Sequence, residues 1–161
     1  MFIIDIQHKR IKLENILHEL GRVAVAFSGG VDSSLLLAAS IATLGKENTW
    51  ALTANSPLMT ARDRTYVSQL AEQLGIAVQW VPFDELNRPK VAANGPERCY
   101  YCKYARFQAL LELAAAQNAH LLHGENADDA GDYRPGLRAA RELGVRAPLA
   151  EAGRWKAAVY G

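Results

Sequence analysis

One stretch, Ser28-Gly29-Gly30-Val31-Asp32-Ser33-Ser34, constrains this chain more than any other. Residues 22–27 before it form a short apolar run that reads as a buried strand, and residues 35–44 after it read as a helix. The stretch is therefore a glycine-containing turn that joins a strand to a helix N-terminus. Such a turn collects phosphate, because the first amides of a helix lack intrahelical partners and the helix dipole adds partial positive charge. Gly29 and Gly30 let the backbone bend and approach an anion with no Cβ in the way. Ser28, Ser33 and Ser34 add hydroxyl donors. The loop has no lysine: none occurs between Lys12 and Lys46, whereas the phosphate loop of kinases and GTPases, G-x-x-x-x-G-K-S/T, uses one for the terminal phosphates.

The order of elements around the loop predicts an α/β fold. Residues 7–20 read as a helix with an apolar stripe of Ile11, Leu13, Ile16, Leu17 and Leu20, closed by Gly21. In the helix after the loop, Leu36, Leu37, Ser40, Ile41 and Leu44 line one side, and Gly45 ends it. Residues 48–53 read as a second strand that closes on a turn at 54–57. Thr60 is placed to cap a helix carrying Val67, Leu70, Ala71 and Leu74 on one face, and residues 76–81 are a third strand. Residues 82–98, dense in Pro, Asn and Gly, read as a long loop with a short helix at 84–88. A helix over 100–118 follows, with Phe107, Leu110, Leu111, Ala114 and Ala115 on its buried face. Residues 119–123 are a fourth strand, 124–136 a polar loop, 137–143 a short helix and 145–149 a fifth strand. The alternation implies an open, parallel, five-stranded sheet with helices on both faces, formed as one domain over residues 1–161. Ligands of such sheets bind outside the carboxyl ends of the strands. Segments 28–34, 54–57, 82–99 and 124–136 all fall on that rim.

Composition narrows the partners. The chain has 161 residues, 50% hydrophobic, enough for one domain with a core. A net charge of +1 gives no general drive toward nucleic acid or an anionic membrane. No apolar run approaches the ~20 residues that cross a bilayer, and the first ten residues do not resemble a secretory signal. Two cysteines without such a signal point to a reducing cytoplasm, where a close pair serves function more often than structure.

Three features on the rim carry chemistry. Asp32 sits inside the anion loop, where a carboxylate complements either the helix dipole or a Mg²⁺ ion shared with phosphates. Cys99 and Cys102 form a Cys-x-x-Cys pair at a helix start, which fits half of a metal or iron–sulfur site, a redox couple, or two unconnected cysteines. The loop from Gly124 to Gly136 offers Asp128, Asp129 and Asp132, which suit Mg²⁺ or a ribose, and Arg134, which suits an acidic substrate. His8, His18, His120 and His123 show no ligand spacing; His120 and His123 flank a strand and read as packing or surface residues, and Trp50 and Trp80 as core.

The motif Ser-Gly-Gly-x-Asp-Ser at 28–33 resembles the PP-loop of the ATP pyrophosphatase superfamily. With residues 96–103, Pro-Glu-Arg-Cys-Tyr-Tyr-Cys-Lys, the loop at 124–136 and residues 144–153, nearly the whole chain looks like the LarE family, ATP-dependent sulfur transferases of nickel-pincer cofactor synthesis. The resemblance implies adenylation of a carboxylate of a pyridinium dicarboxylate mononucleotide, loss of pyrophosphate, and sulfur attack that displaces AMP. It implies ATP and Mg²⁺ as cofactors, with Ser28 to Ser34, Ala54, Asn55, Ser56 and Gly124 around ATP and its pyrophosphate. Asp32, Ser33 and Lys103 become the candidate catalytic residues, Arg98, Asp132 and Arg134 the substrate contacts, and Asp128 and Asp129 Mg²⁺ ligands. Cys99 and Cys102 would be part of the ligand set of a [4Fe-4S] cluster in a longer form. The family continues past the point where this sequence stops, with a later cysteine and a C-terminal domain. The expectation is therefore a nucleotide-binding half whose sulfur transfer is incomplete, with a small nucleotide as partner and oligomeric state left open. The alternatives are an amide-forming synthetase of the NAD or GMP synthetase kind, a tRNA thiolase domain, and a non-catalytic ATP-binding module.

Overall fold

The computed structural model describes residues 2–57, 59–84, 98–124 and 135–152, with backbone alone at 2–6, 98–100 and 135–137. Four strands, β1 (Val23–Ala26), β2 (Thr49–Asn55), β3 (Val78–Pro82) and β4 (His120–Leu122), form one parallel sheet in the order β3-β2-β1-β4. The helices are α1 (Phe2–Leu20), α2 (Val31–Leu44), α3 (Ala61–Gln73), α4 (Arg98–Ala116), α5 (Pro135–Leu143) and α6 (Pro148–Ala152).

Period-two alternation assigns each strand residue to one of two cores. Val23, Val25, Ala51 and Leu122 point to the layer that holds Leu13 and Leu17 of α1, Leu36 and Leu37 of α2, Val67 and Ala71 of α3, and Leu149 of α6. Ala24, Leu52 and Leu121 point the other way, onto Phe107, Leu110 and Ala114 of α4 and Ala139 and Ala140 of α5. Both faces of the sheet are thus covered, as its uninterrupted apolar strands require. The expected α/β architecture with helices on both faces is what forms.

Four local expectations change. The helix after the glycine loop starts at Val31 rather than near residue 35, so Asp32, Ser33 and Ser34 lie in its first turn. Ala54 and Asn55 are not turn residues; β2 runs through them because Ala54 pairs with Val81 and Asn55 with Pro82. Ala115 is exposed, one position round the helix from buried Ala114. The fifth strand does not form among the described residues: Arg146 makes a single parallel bridge with Leu122. Two features stop it. The Val145 amide is spent on the Ala140 carbonyl at the end of α5, and Pro148, which has no N–H, opens α6 instead. The short helix proposed at 84–88 lies outside the described residues, Asp84 apart.

The cap at Thr60 forms as its sequence predicts, and as a full capping box. The Thr60 hydroxyl accepts from the Asp63 amide at 3.0 Å, and the Asp63 carboxylate accepts from the Thr60 amide at 3.1 Å. Thr60→Ala should cost about 1 kcal/mol of stability, read as a lower urea midpoint with an unchanged slope.

Candidate functional site

β2 and β3 lie to one side of β1, and β4 lies on the other. The direction of winding therefore reverses between β1 and β4, which opens a crevice at their carboxyl ends. A cleft of about 700 Å³ occupies this position. The glycine loop enters it from the end of β1. Gly29 takes a positive φ of 81°, which makes the turn, and its space is closed by the side chains of Val67 and Tyr66. Gly30 is the N-cap of α2 and supplies no side-chain hydrogen bond. The contrast with the boxed N-terminus of α3 is physical: α3 caps itself, whereas α2 offers its first turn to the cleft.

The serines of the loop hold its shape. Ser33 is buried; its hydroxyl donates to the Gly30 carbonyl at 3.3 Å, accepts from the Ser28 amide at 3.3 Å and lies 3.2 Å from the Ser28 hydroxyl. Ser28, Gly30, Val31, Asp32, Ser33, Ala54, Ser56, Lys103 and Gly124 all line the cleft. Gly29, Ser34 and Asn55 are not among the residues that line it, and the Ser34 hydroxyl is buried with no partner among the described residues. Arg64 braces the β2 end, donating to the Asn55 side-chain oxygen at 2.8 Å and to the Ser56 carbonyl at 3.2 Å. On the rim, the Thr60 amide and hydroxyl hold the exposed Asp63 carboxyl below its ordinary pKa.

Gly124, at the end of β4, touches the loop most closely. A Cβ built on it would lie 2.7 Å from Ser33 N and 2.9 Å from Ser33 Cα. Only glycine lets β4 approach the first turn of α2 this closely. The side chains of Arg98 and Cys99, and all of Asp128, Asp129, Asp132 and Arg134, lie outside the described residues. Among the described residues no group of three or more His, Cys, Asp and Glu comes together. Among the described residues, Asp32 and Asp63 are the carboxylates that line the cleft.

A family model described as NAD synthase matches residues 6–120, most of the chain, from within α1 to the first residue of β4. The chain belongs to the NAD synthase family. As a family member it belongs to the PP-loop ATPase superfamily. It is 41% identical over 145 residues to the pyridinium-3,5-bisthiocarboxylic acid mononucleotide synthase of Lactiplantibacillus plantarum, covering 89% of this chain and 52% of that protein. The chain spans about half the length of the curated relatives it matches. The glutamine-dependent NAD+ synthetase of Acinetobacter baumannii, solved with ADP, shares its fold at a TM-score of 0.67 and 16% identity, over 81% of this chain and 27% of that one. The NH3-dependent NAD synthetase of Campylobacter jejuni does so at 0.62 and 14% identity, over 90% and 74%.

This NAD synthase family site contains two residues that the sequence does not announce, Arg106 and His123. His123 follows β4 directly, is 5% exposed and lines the cleft. Its ring packs against Phe107, centroids 5.5 Å apart. Burial, reinforced by the Lys103 charge and opposed by Glu151, lowers its pKa to about 4, so it is neutral at pH 7. Arg106 lies one turn beyond Lys103 on α4. The amphipathic pattern of α4 is the sequence signal for Arg106, since positions 103, 106, 107 and 110 share its cleft-facing side. No helix among the described residues is long and apolar enough to cross a membrane.

Proposed function

We propose that this chain is a PP-loop domain that binds MgATP at the Ser28–Ser34 loop and adenylates a carboxylate of a pyridinium nucleotide. The observation that carries the reading is the lysine-free glycine loop, which brings an α2 N-terminus without a side-chain cap into the crevice between β1 and β4. Its first-turn amides hold the β and γ phosphates through neutral donors, helped by the helix dipole. A carboxylate oxygen attacks the α phosphorus; the bond to the β-bridging oxygen breaks, and pyrophosphate leaves with that electron pair. A nucleophile then bonds the acyl carbon and AMP departs. Mg²⁺, when bound, neutralises phosphate charge, and Asp32 is the residue placed to hold it. Tyr66 and Met59 give the cleft an apolar side for a nucleobase.

The pyridinium substrate is supported by what the matched names share. NAD and a pyridinium bisthiocarboxylic mononucleotide both carry, on a pyridinium ring, an acyl group in which nitrogen or sulfur replaces a carboxylate oxygen. Ammonia as the nucleophile, giving a carboxamide, is supported by the family model over residues 6–120. Sulfur, giving a thiocarboxylate as in the LarE family, is a second reading with its own support: the 41% identity to the thiocarboxylate-forming relative and the Cys99/Cys102 pair. On that reading Cys99 and Cys102 would belong to an iron–sulfur centre. Cys102 accepts from Arg106 at 3.6 Å.

Calorimetry should show MgATP binding by the wild type and about tenfold weaker binding by Asp32→Ala, with the difference closing in EDTA. Equal binding in Mg²⁺, or none by either protein, would refute the role given to the loop. Mass analysis after incubation with nicotinic acid mononucleotide, MgATP and either ammonium or sulfide separates the carboxamide from the thiocarboxylate.

A further inference from the structure

The α4 side of the cleft holds a guanidinium edge without a proper acceptor. Arg106 lines the cleft, and its Nε is buried with no hydrogen-bond partner among the described residues. Among the described residues its Nη2 donates to Cys102 Sγ, at 3.6 Å, and a thiol is a weak acceptor. An orphaned buried donor in a charged group is costly and rarely without a reason. The same molecule shows what this edge does when satisfied. Arg146 places Nε and Nη2 on the two oxygens of the Glu151 carboxylate, the two-pronged geometry a planar carboxylate matches. His123 also lines the cleft and is 5% exposed. Its ring is held on Phe107, the residue after Arg106. A half-buried arginine of α4 with a buried, unpartnered Nε and a buried histidine just after β4 therefore line one cleft.

We propose that Arg106, with His123 beside it, forms the subsite that grips the carboxylate of the acceptor substrate. The guanidinium leaves Cys102 Sγ and presents its Nε/Nη2 edge to the carboxylate, while His123 supplies a ring N–H as a neutral donor. This subsite is separate from the phosphate cradle: α4 packs on one face of the sheet and α2 on the other. It rests on the reading that the chain adenylates a carboxylate, and it names which side chains select that carboxylate.

The test uses the whole chain loaded with α,β-methylene-ATP, which occupies the cradle without reacting. Nicotinic acid mononucleotide and nicotinamide mononucleotide are the two probes; they share ribose, phosphate and ring and differ only in the carboxylate. Arg106→Gln should weaken nicotinic acid mononucleotide about tenfold, while nicotinamide mononucleotide and the ATP analogue bind as in the wild type. Arg106→Lys should recover part of the loss. Equal weakening of both mononucleotides would place Arg106 on the phosphate and overturn the assignment. So would unchanged binding in Arg106→Gln, or wild type that binds the ATP analogue but not nicotinic acid mononucleotide. Loss of ATP-analogue binding by the wild type would instead strike the parent reading. The unchanged analogue affinity of the variants also reports that they are folded.

Discussion

Replacing Gly124 with alanine should weaken MgATP binding about 30-fold, the equivalent of about 2 kcal/mol, and lower thermal stability with it. The added methyl would sit 2.7 Å from Ser33 N and 2.9 Å from Ser33 Cα, and 3.0 Å from the Asp32 carbonyl carbon. All three atoms are backbone of the first turn of α2, which no rotamer change can move aside. Either the β4 end withdraws or α2 shifts, and α2 carries both the anion cradle and the core residues Leu36 and Leu37. The ligand therefore loses affinity through geometry, not through a lost contact. Gly21→Ala is the matched control. Its φ of 77° brings a backbone strain that Gly124 lacks, but nothing lies within 4 Å of the new Cβ, and the position is remote from the cleft. It should lose some stability and keep its ATP affinity. A Gly124→Ala protein that bound MgATP as the wild type does would show that the close approach of β4 to α2 is not needed for the cradle.

Gly124 also shows where sequence reading stops. The glycine loop, the strand before it and the helix after it are local, and their order alone locates the phosphate cradle. The capping box at Thr60 and Asp63 is equally local. The distances that make Gly124 necessary join residues 124 and 33, and no window of sequence contains both. His123 and Arg106 are hidden for the same reason. A histidine after a short strand looks like packing, and an arginine in an amphipathic helix looks like a solvated charge. They become a site only when the crossing of α4 over β4 puts Phe107 against the imidazole. The run at 145–149 misleads in the opposite way. Its composition suits a strand, but the carbonyl of Ala140 captures the first amide and Pro148 begins a helix. Asn55 reads as a turn residue beside Pro57, yet pairing with β3 extends β2 through it. At Asn55, His123 and Gly124 a non-local hydrogen bond or contact outweighs local preference.

Acid should destabilise this protein through His123 by about 3 kcal/mol between pH 7 and pH 4. The sign follows from linkage. An unfolded histidine titrates near 6.5, whereas burial, with help from Lys103, holds folded His123 at about 4. Between these values the unfolded chain binds a proton that the folded chain refuses, so unfolding gains on folding as pH falls. The penalty is absent above the unfolded pKa, grows through the window and is complete below the folded pKa. His123→Gln keeps a neutral polar side chain of similar reach and cannot titrate. Urea unfolding of both proteins at pH 7 and pH 4 removes the contributions common to the other carboxylates. The wild type should lose about 3 kcal/mol more than the variant. The neighbours give the sign a second check: Lys103→Met should raise the His123 pKa in an NMR titration, and Glu151→Gln should lower it further. A stability difference that stays constant across the window would mean that the imidazole is hydrated, and that the cleft beside Phe107 is wetter than its burial indicates.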